Sequence, residues 1–222
     1  MLLVLWDVDG TLVRTAGHGR YAFEDAFKTV VGREPEPVDY AGRTDKQIAL
    51  TMLAGEVEHL PRVLEELEGA LELRKEAMRR EGYAYPGVAE VLEALHGRDD
   101  VIQSLLTGNI KANAIVKVSA FGLDRWLDFE VGAYGSDPHE ERGDLVAVAR
   151  DRAATKYAEP TGAVLVGDTP LDVRAAHYAG ARAVAVATGF ADKDDLRASG
   201  PEAYLEDFSD TAAAVAAITA ST

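Results

Sequence analysis

Residues 2–11 read LLVLWDVDGT, five apolar residues running without a break into an Asp-Val-Asp-Gly-Thr turn. A short continuous apolar run bounded by turn residues is the pattern of a strand buried on both faces, as parallel sheets require. In extended chain, residues two apart project the same way, so Asp7 and Asp9 face one site while Val8 turns aside. Three more runs have this character, at Val101–Leu106, Ala163–Val166 and Ala183–Ala187, and helical patterns separate them. One predicted helix, from about Glu141 to Tyr157, carries Leu145, Val148, Ala149 and Ala153 on a single face. Another, Leu171 to Ala179, stops at Gly180. Strands alternating with helices predict an α/β domain whose parallel sheet is covered on both faces.

One interval breaks the alternation. From about Thr15 to Tyr85 the pattern is helical only. Phe23, Ala26, Phe27, Val30 and Val31 form an apolar stripe closed by Gly32. Thr44 and Gln47 make a capping box ahead of a helix that stops near Gly55. Pro61 opens a third helix, with Val63, Leu64, Leu67, Leu71 and Met78 on one side, and Pro86-Gly87 marks the return to alternation. The expected organisation is a discontinuous sheet domain, residues 1–14 and 86–222, with an all-helical domain, residues 15–85, inserted after the first strand.

The chain has 222 residues, 47% of them apolar, enough for one large domain or one domain with a smaller insert. No apolar run reaches the roughly 18 residues of a membrane helix, and no basic leader precedes Asp7, so no secretory signal is expected. With no cysteine, disulfides and thiolate metal sites are excluded. These features predict a soluble, cytoplasmic protein, either monomer or homodimer. A net charge of −15 argues against a nucleic-acid partner, because phosphate backbones are held by excess Lys and Arg. An anionic substrate would then need a local cation, either a metal or a few placed basic residues.

Open parallel sheets bind ligands beyond the carboxyl ends of their strands. Three ends here carry reactive residues: Asp7-Val8-Asp9-Gly10-Thr11, Thr107-Gly108-Asn109 and Gly167-Asp168-Thr169-Pro170-Leu171-Asp172. A carboxylate can attack phosphorus to give an aspartyl-phosphate, splitting one difficult displacement into two. A second carboxyl can protonate the leaving oxygen and then take a proton from the attacking water. Anionic nucleophile and anionic substrate together need charge neutralisation, and Mg²⁺ suits Asp7 and Asp168 with a backbone carbonyl. Each feature alone has a plainer explanation. The EF-hand version of Asp-x-Asp-Gly fails, since it needs Gly and Glu where this chain has Leu12 and His18. Asp168 or Asp172 could only favour a helix start, and Thr107 could be a strand-end hydroxyl. Three such ends on one sheet edge argue for a site.

Taken together, DVDGT at 7–11 and GDTPLD at 167–172 resemble the motifs of the haloacid-dehalogenase superfamily, and the resemblance spans essentially the whole chain. It implies a Rossmann-like core with a helical cap inserted after the first strand. Residue by residue, it implies Asp7 as nucleophile and metal ligand, and Asp9 as acid/base lending its backbone carbonyl to the metal. Thr107 would hydrogen-bond the phosphoryl group, Asp168 would bind Mg²⁺, and Asp172 would orient the metal's surroundings. Gly108 and Asn109 would place backbone and side-chain donors near the phosphate. Dehalogenating members have no acidic residue two after the nucleophile, so Asp9 points to phosphoryl chemistry. The family usually supplies a lysine before the helix leading to the last motif. The stretch here is GSDPHEERGDLVAVA, whose only cation is Arg142. Arginine keeps the charge and adds a bidentate fork. Arg142 is therefore assigned that role, with Lys111 as competitor and a surface pairing with Glu140 or Glu141 as the plain alternative.

Gly17-His18-Gly19-Arg20-Tyr21-Ala22 matches the loose dinucleotide-binding pattern, but it lies too far past the strand, so its glycines read as a hinge into the cap. His18, between core and cap, is a candidate to face substrate, although a surface position is the plainer expectation. Arg43, in Gly42-Arg43-Thr44-Asp45, is a candidate partner for an anionic group on the substrate. His59, His96, His139 and His177 lack ligand spacing. The leading function is a Mg²⁺-dependent phosphatase acting on a small phosphorylated metabolite, similar to phosphoglycolate phosphatases. The alternative is a phosphosugar mutase resembling the β-phosphoglucomutase branch. A non-catalytic binding protein is disfavoured, since binding has no need of a nucleophile and an acid/base together.

Overall fold

The computed structural model describes residues 1–40 and 42–220. Its elements begin with β1 (Leu2–Trp6), β2 (Val13–Arg14), α1 (His18–Val31), α2 (Asp45–Leu53), α3 (Leu60–Glu81) and β3 (Tyr83–Ala84). They continue with α4 (Val88–His96), β4 (Val101–Thr107), α5 (Lys111–Ala120), β5 (Ala133–Tyr134), α6 (Asp144–Lys156) and β6 (Gly162–Gly167). The chain closes with α7 (Pro170–Tyr178), β7 (Arg182–Val186), α8 (Lys193–Ala198), β8 (Ala203–Leu205) and α9 (Thr211–Thr219).

The opening apolar run is strand β1, and its side chains alternate between two cores. Leu3 and Leu5 join Leu145, Val146 and Ala149 of α6 and Val173 and Ala176 of α7. Val4 and Trp6 join Val88, Val91, Leu92 and Leu95 of α4 and Ile218 of α9. β6 and β7 divide in the same way, so every central strand is buried on both faces. This is why β1, β6 and β7 carry continuous apolar runs, whereas β4 interrupts its run with the buried Gln103 and Ser104. The result is a six-stranded parallel sheet in the order β5-β4-β1-β6-β7-β8 with helices on both sides. Leu2 lies opposite both Val101 and Gly162, and Trp6 lies opposite both Leu105 and Val166. That register brings Asp7, Thr107 and Asp168 to one sheet edge, where the strand order reverses about β1.

The helical insertion, α1 to α3, packs around Phe23, Phe27, Ile48, Met52, Val63, Leu67, Leu71 and Met78. Val30, Val31 and Leu64, expected on the same stripes, are half-buried at its margin. Ile110, which caps α5, and Val116 and Ala120 within it belong to this cluster, whereas Ala114 and Val118 face the sheet. Helix α5 is thus a wall shared by both cores. The expected capping box at α2 is present, with Thr44 and Gln47 exchanging side-chain to backbone bonds.

Three features differ from the sequence pattern. The interval read as helical contains β3, which pairs antiparallel with β2 where the chain enters and leaves the insertion. Helix α3 ends there because Gly82 lies against the chain, and a Cβ would sit 2.3 Å from the Arg14 carbonyl. Helix α6 starts at Asp144, not Glu141, because the Asp144 carboxylate accepts the Glu140 and Glu141 N–H groups in a preceding turn. Val146 is consequently buried and Val148 only half-buried. The edge strands β5 and β8, two and three residues long, are too short to show a period. Among the described residues, no helix is long and apolar enough to cross a membrane.

Candidate active site

The end of β1 delivers Asp7 into the protein, 7% exposed, with its N–H donating to the Val166 carbonyl at 2.9 Å. Three residues on, the chain must turn sharply beneath Asp168. Gly10 does this at φ 90°, and a Cβ there would lie 2.4 Å from Asp168 Oδ2. Both the conformation and the space therefore demand glycine. Thr11 Oγ1 donates to Asp168 Oδ1 at 3.1 Å, and Thr188 Oγ1 donates to the Gly10 carbonyl at 2.6 Å. From the far side Gly189 closes over Asp168, so tightly that a Cβ would reach 1.6 Å from Oδ2.

Arg142 extends from the turn before α6 into this cluster. Its Nη2 donates to Asp7 Oδ1 at 2.8 Å and to Asp172 Oδ1 at 2.7 Å. The other Asp172 oxygen accepts from Thr169 N at 3.1 Å and Oγ1 at 2.7 Å, closing a capping box on α7. The helix-start role is thus real for Asp172, and both of its oxygens are engaged. Neither Glu140 nor Glu141 is the guanidinium's partner. Lys111, the competing cation, turns away and donates to Glu130 at 2.8 Å on the surface.

Asp7, Asp168 and Asp172 each offer an oxygen, and these lie within 4.8 Å of one another. Burial first, then the neighbouring carboxylates, push the Asp7 and Asp168 carboxyls well above the usual range, while Arg142 at Asp7 and Thr11 at Asp168 oppose the rise. Three buried carboxylates face one half-buried guanidinium. The imbalance of two negative charges, on hard oxygen donors, fits a divalent cation. The carboxylate of Asp9 lies outside this group.

Asp9 instead belongs to a second network. Its Oδ2 accepts from Asn109 Nδ2 at 2.9 Å and from Lys117 Nζ at 2.6 Å. Lys117 Nζ also donates to Asn109 Oδ1 at 2.6 Å, and Asn109 Nδ2 to Thr107 Oγ1 at 2.7 Å. Lys117 was missed in the sequence. The available signal was a lysine on a helix face otherwise made by Asn113, Ala114, Val118 and Ala120, all buried.

The insertion reaches this edge through its loop before α2. A Cβ on Gly108 would lie 2.9 Å from the Arg43 carbonyl, so the loop backbone rests directly on the strand end. The Asp45 N–H donates to the Gly108 carbonyl, and the Ile110 N–H donates to Asp45 Oδ2, each at 2.8 Å. The Arg43 side chain is exposed and donates to Thr51 Oγ1 at 3.1 Å, with no contact to the aspartate cluster. His18 corrects the surface expectation. It is 4% exposed, bonds Glu81 Oε2 at 3.0 Å, and its Nδ1 is buried without a partner. The first turn of α1 and the end of α3 enclose it.

The chain is 29% identical over 97% of its length, and 94% of the relative's, to a Dickeya dadantii (strain 3937) protein named "Probable phosphatase IndB". It is also 29% identical to phosphoglycolate phosphatase 1 of Pseudomonas aeruginosa, covering 94% of this chain and 77% of that one. The fold superposes on the crystal structure of CbbY from Rhodobacter sphaeroides in complex with phosphate, with a TM-score of 0.70 at 21% identity over 94% of this chain and 95% of that one. A family model described as haloacid dehalogenase-like hydrolase matches residues 1–180, and the chain belongs to that family.

Proposed function

We propose that this chain is a divalent-metal-dependent phosphatase, with Mg²⁺ as the ion, that hydrolyses a small phosphorylated metabolite through an aspartyl-phosphate on Asp7. The observation that carries the proposal is the division of the strand-end carboxylates between two environments. Asp7 sits among buried acids beside Arg142, and Asp9, two residues on, sits beside Lys117 and Asn109. That division supports a reading in which one carboxylate attacks and the other moves protons.

Asp7, Asp168 and the Asp9 carbonyl would hold the metal, which supplies neutralisation of the phosphoryl charge when bound. Arg142, already bonded to Asp7, adds a fixed positive charge beside the nucleophile. Asp7 attacks phosphorus while Asp9 protonates the departing oxygen, and the P–O bond to the alcohol breaks. Asp9 then takes a proton from water, which attacks the phosphorus and returns Asp7 to a free carboxylate. Thr107, Gly108 and Asn109 would orient the phosphoryl oxygens. The insertion, resting on Gly108, would exclude bulk water and limit substrate size. A phosphoglycolate-like substrate accords with the relative named above.

A second reading, the phosphosugar mutase, draws support from His18, a buried imidazole in the first turn of α1 bonded to the exposed Glu81. Phosphate release from phosphoglycolate, sugar phosphates, nucleoside monophosphates and p-nitrophenyl phosphate, with Mg²⁺ and with EDTA, decides between them. Metal-dependent release is the expected result. Bisphosphate-dependent isomerisation without phosphate release would select the mutase.

A further inference from the structure

Lys117 presents an unexplained expense. Its side chain is 7% exposed, and taking an ammonium out of water is costly unless it is well paired. Its carboxylate partner, Asp9, has a side chain 43% exposed and needs no buried cation to fold. A lysine here gives the hydrophobic cores nothing that an apolar side chain would not give. Its neighbours Val116 and Val118 pack into the insertion's core and the sheet's core respectively. The Nζ lies between them at the strand end, 3.4 Å from the Cβ position of Gly19 in the first turn of α1. The ammonium is thus held by the same helix that seats the insertion.

We propose that Lys117 is a positioning residue for the proton carrier Asp9. Lys117 Nζ and Asn109 Nδ2 converge on one oxygen, Oδ2, at 2.6 and 2.9 Å. Lys117 also braces Asn109 through its Oδ1, so the three side chains form a closed triangle. Two donors on one oxygen fix the plane of the carboxylate and leave the other oxygen to meet the leaving group. This inference rests on the phosphatase reading, with Asp9 as the acid.

Leaving groups supply the test. p-Nitrophenolate departs without a proton, whereas an alkoxide needs one, so loss of an oriented acid falls selectively on alkyl esters. The measurement is kcat/KM for p-nitrophenyl phosphate and for an alkyl phosphate that the wild type hydrolyses, in wild type, Asp9→Asn, Lys117→Met and Lys117→Gln. Lys117→Met is expected to lose at least about tenfold on the alkyl ester and less than about threefold on the aryl ester. The ratio of the two is independent of the fraction of folded enzyme. Lys117→Gln, which retains a donor, is expected to fall between Lys117→Met and wild type. The chain has no cysteine, so Lys117→Cys can be alkylated with bromoethylamine at that one position, and restored ammonium should restore the ratio. An unchanged ratio in both Lys117 variants, with or without a general loss of activity, would overturn the inference. An unchanged ratio in Asp9→Asn would instead overturn the phosphatase reading beneath it.

Discussion

Asp7 and Asp9 have the same side chain and stand two residues apart, yet their surroundings differ. Asp7 is enclosed with Asp168, Asp172 and Arg142, where a free acid is under pressure to lose charge or to gain a cation. Asp9 reaches toward solvent and is held by Lys117 and Asn109. Asp7→Asn should lower turnover by at least about 10³-fold while leaving the far-ultraviolet circular dichroism and Tm essentially intact. Retained turnover in that folded variant would remove Asp7 as nucleophile. Asp168→Asn should raise the Mg²⁺ concentration needed for half-maximal activity by at least about tenfold, and an unchanged metal curve would remove it from the ligand set.

At the scale of elements, the three strand ends were readable because a parallel strand's burial, its end and its reactive residue all lie within a few consecutive positions. Leu2 to Thr11 carries all of that for β1. What escaped depends on contacts across the chain. Lys117 is 108 residues from Asp9, and the apolar helix face it interrupts does not name that partner. His18 looks like a loop residue until α3 closes over it. Arg142 was legible by its isolation in an otherwise acidic stretch, but its bridge between Asp7 and Asp172 spans two other strand ends. Gly189 is a similar case, since nothing local reveals that it must admit Asp168. Gly189→Ala forces a methyl group onto that carboxylate and should weaken the Mg²⁺ requirement curve about 10- to 100-fold with a smaller effect on fold stability. Wild-type metal dependence would show that the loop yields.

For the whole molecule, a buried acidic centre ties stability to pH and to any cation that would bind there. A carboxyl whose pKa is higher folded than unfolded makes the folded state bind protons more tightly. Its contribution is greatest below the ordinary carboxylate range, about pH 4, and is lost as pH rises through the raised value. Asp7 and Asp168 are both raised by burial, so the metal-free protein should lose stability on passing from acid into the neutral range. Mg²⁺ should then raise Tm more at about pH 8 than at about pH 5, and an equal rise at both would contradict this charge balance. The central claim remains the covalent one, that phosphorus passes through Asp7. It is met most directly by mixing Asp9→Asn protein with p-nitrophenyl phosphate and Mg²⁺, quenching in acid, and mapping the peptide that contains Asp7 by mass spectrometry. This ester needs no acid to leave, and without the base at Asp9 the second step slows. The account predicts a burst of nitrophenolate matched by a phosphoryl group on Asp7. A burst with residue 7 unmodified, or with the phosphoryl group on another residue, would contradict it.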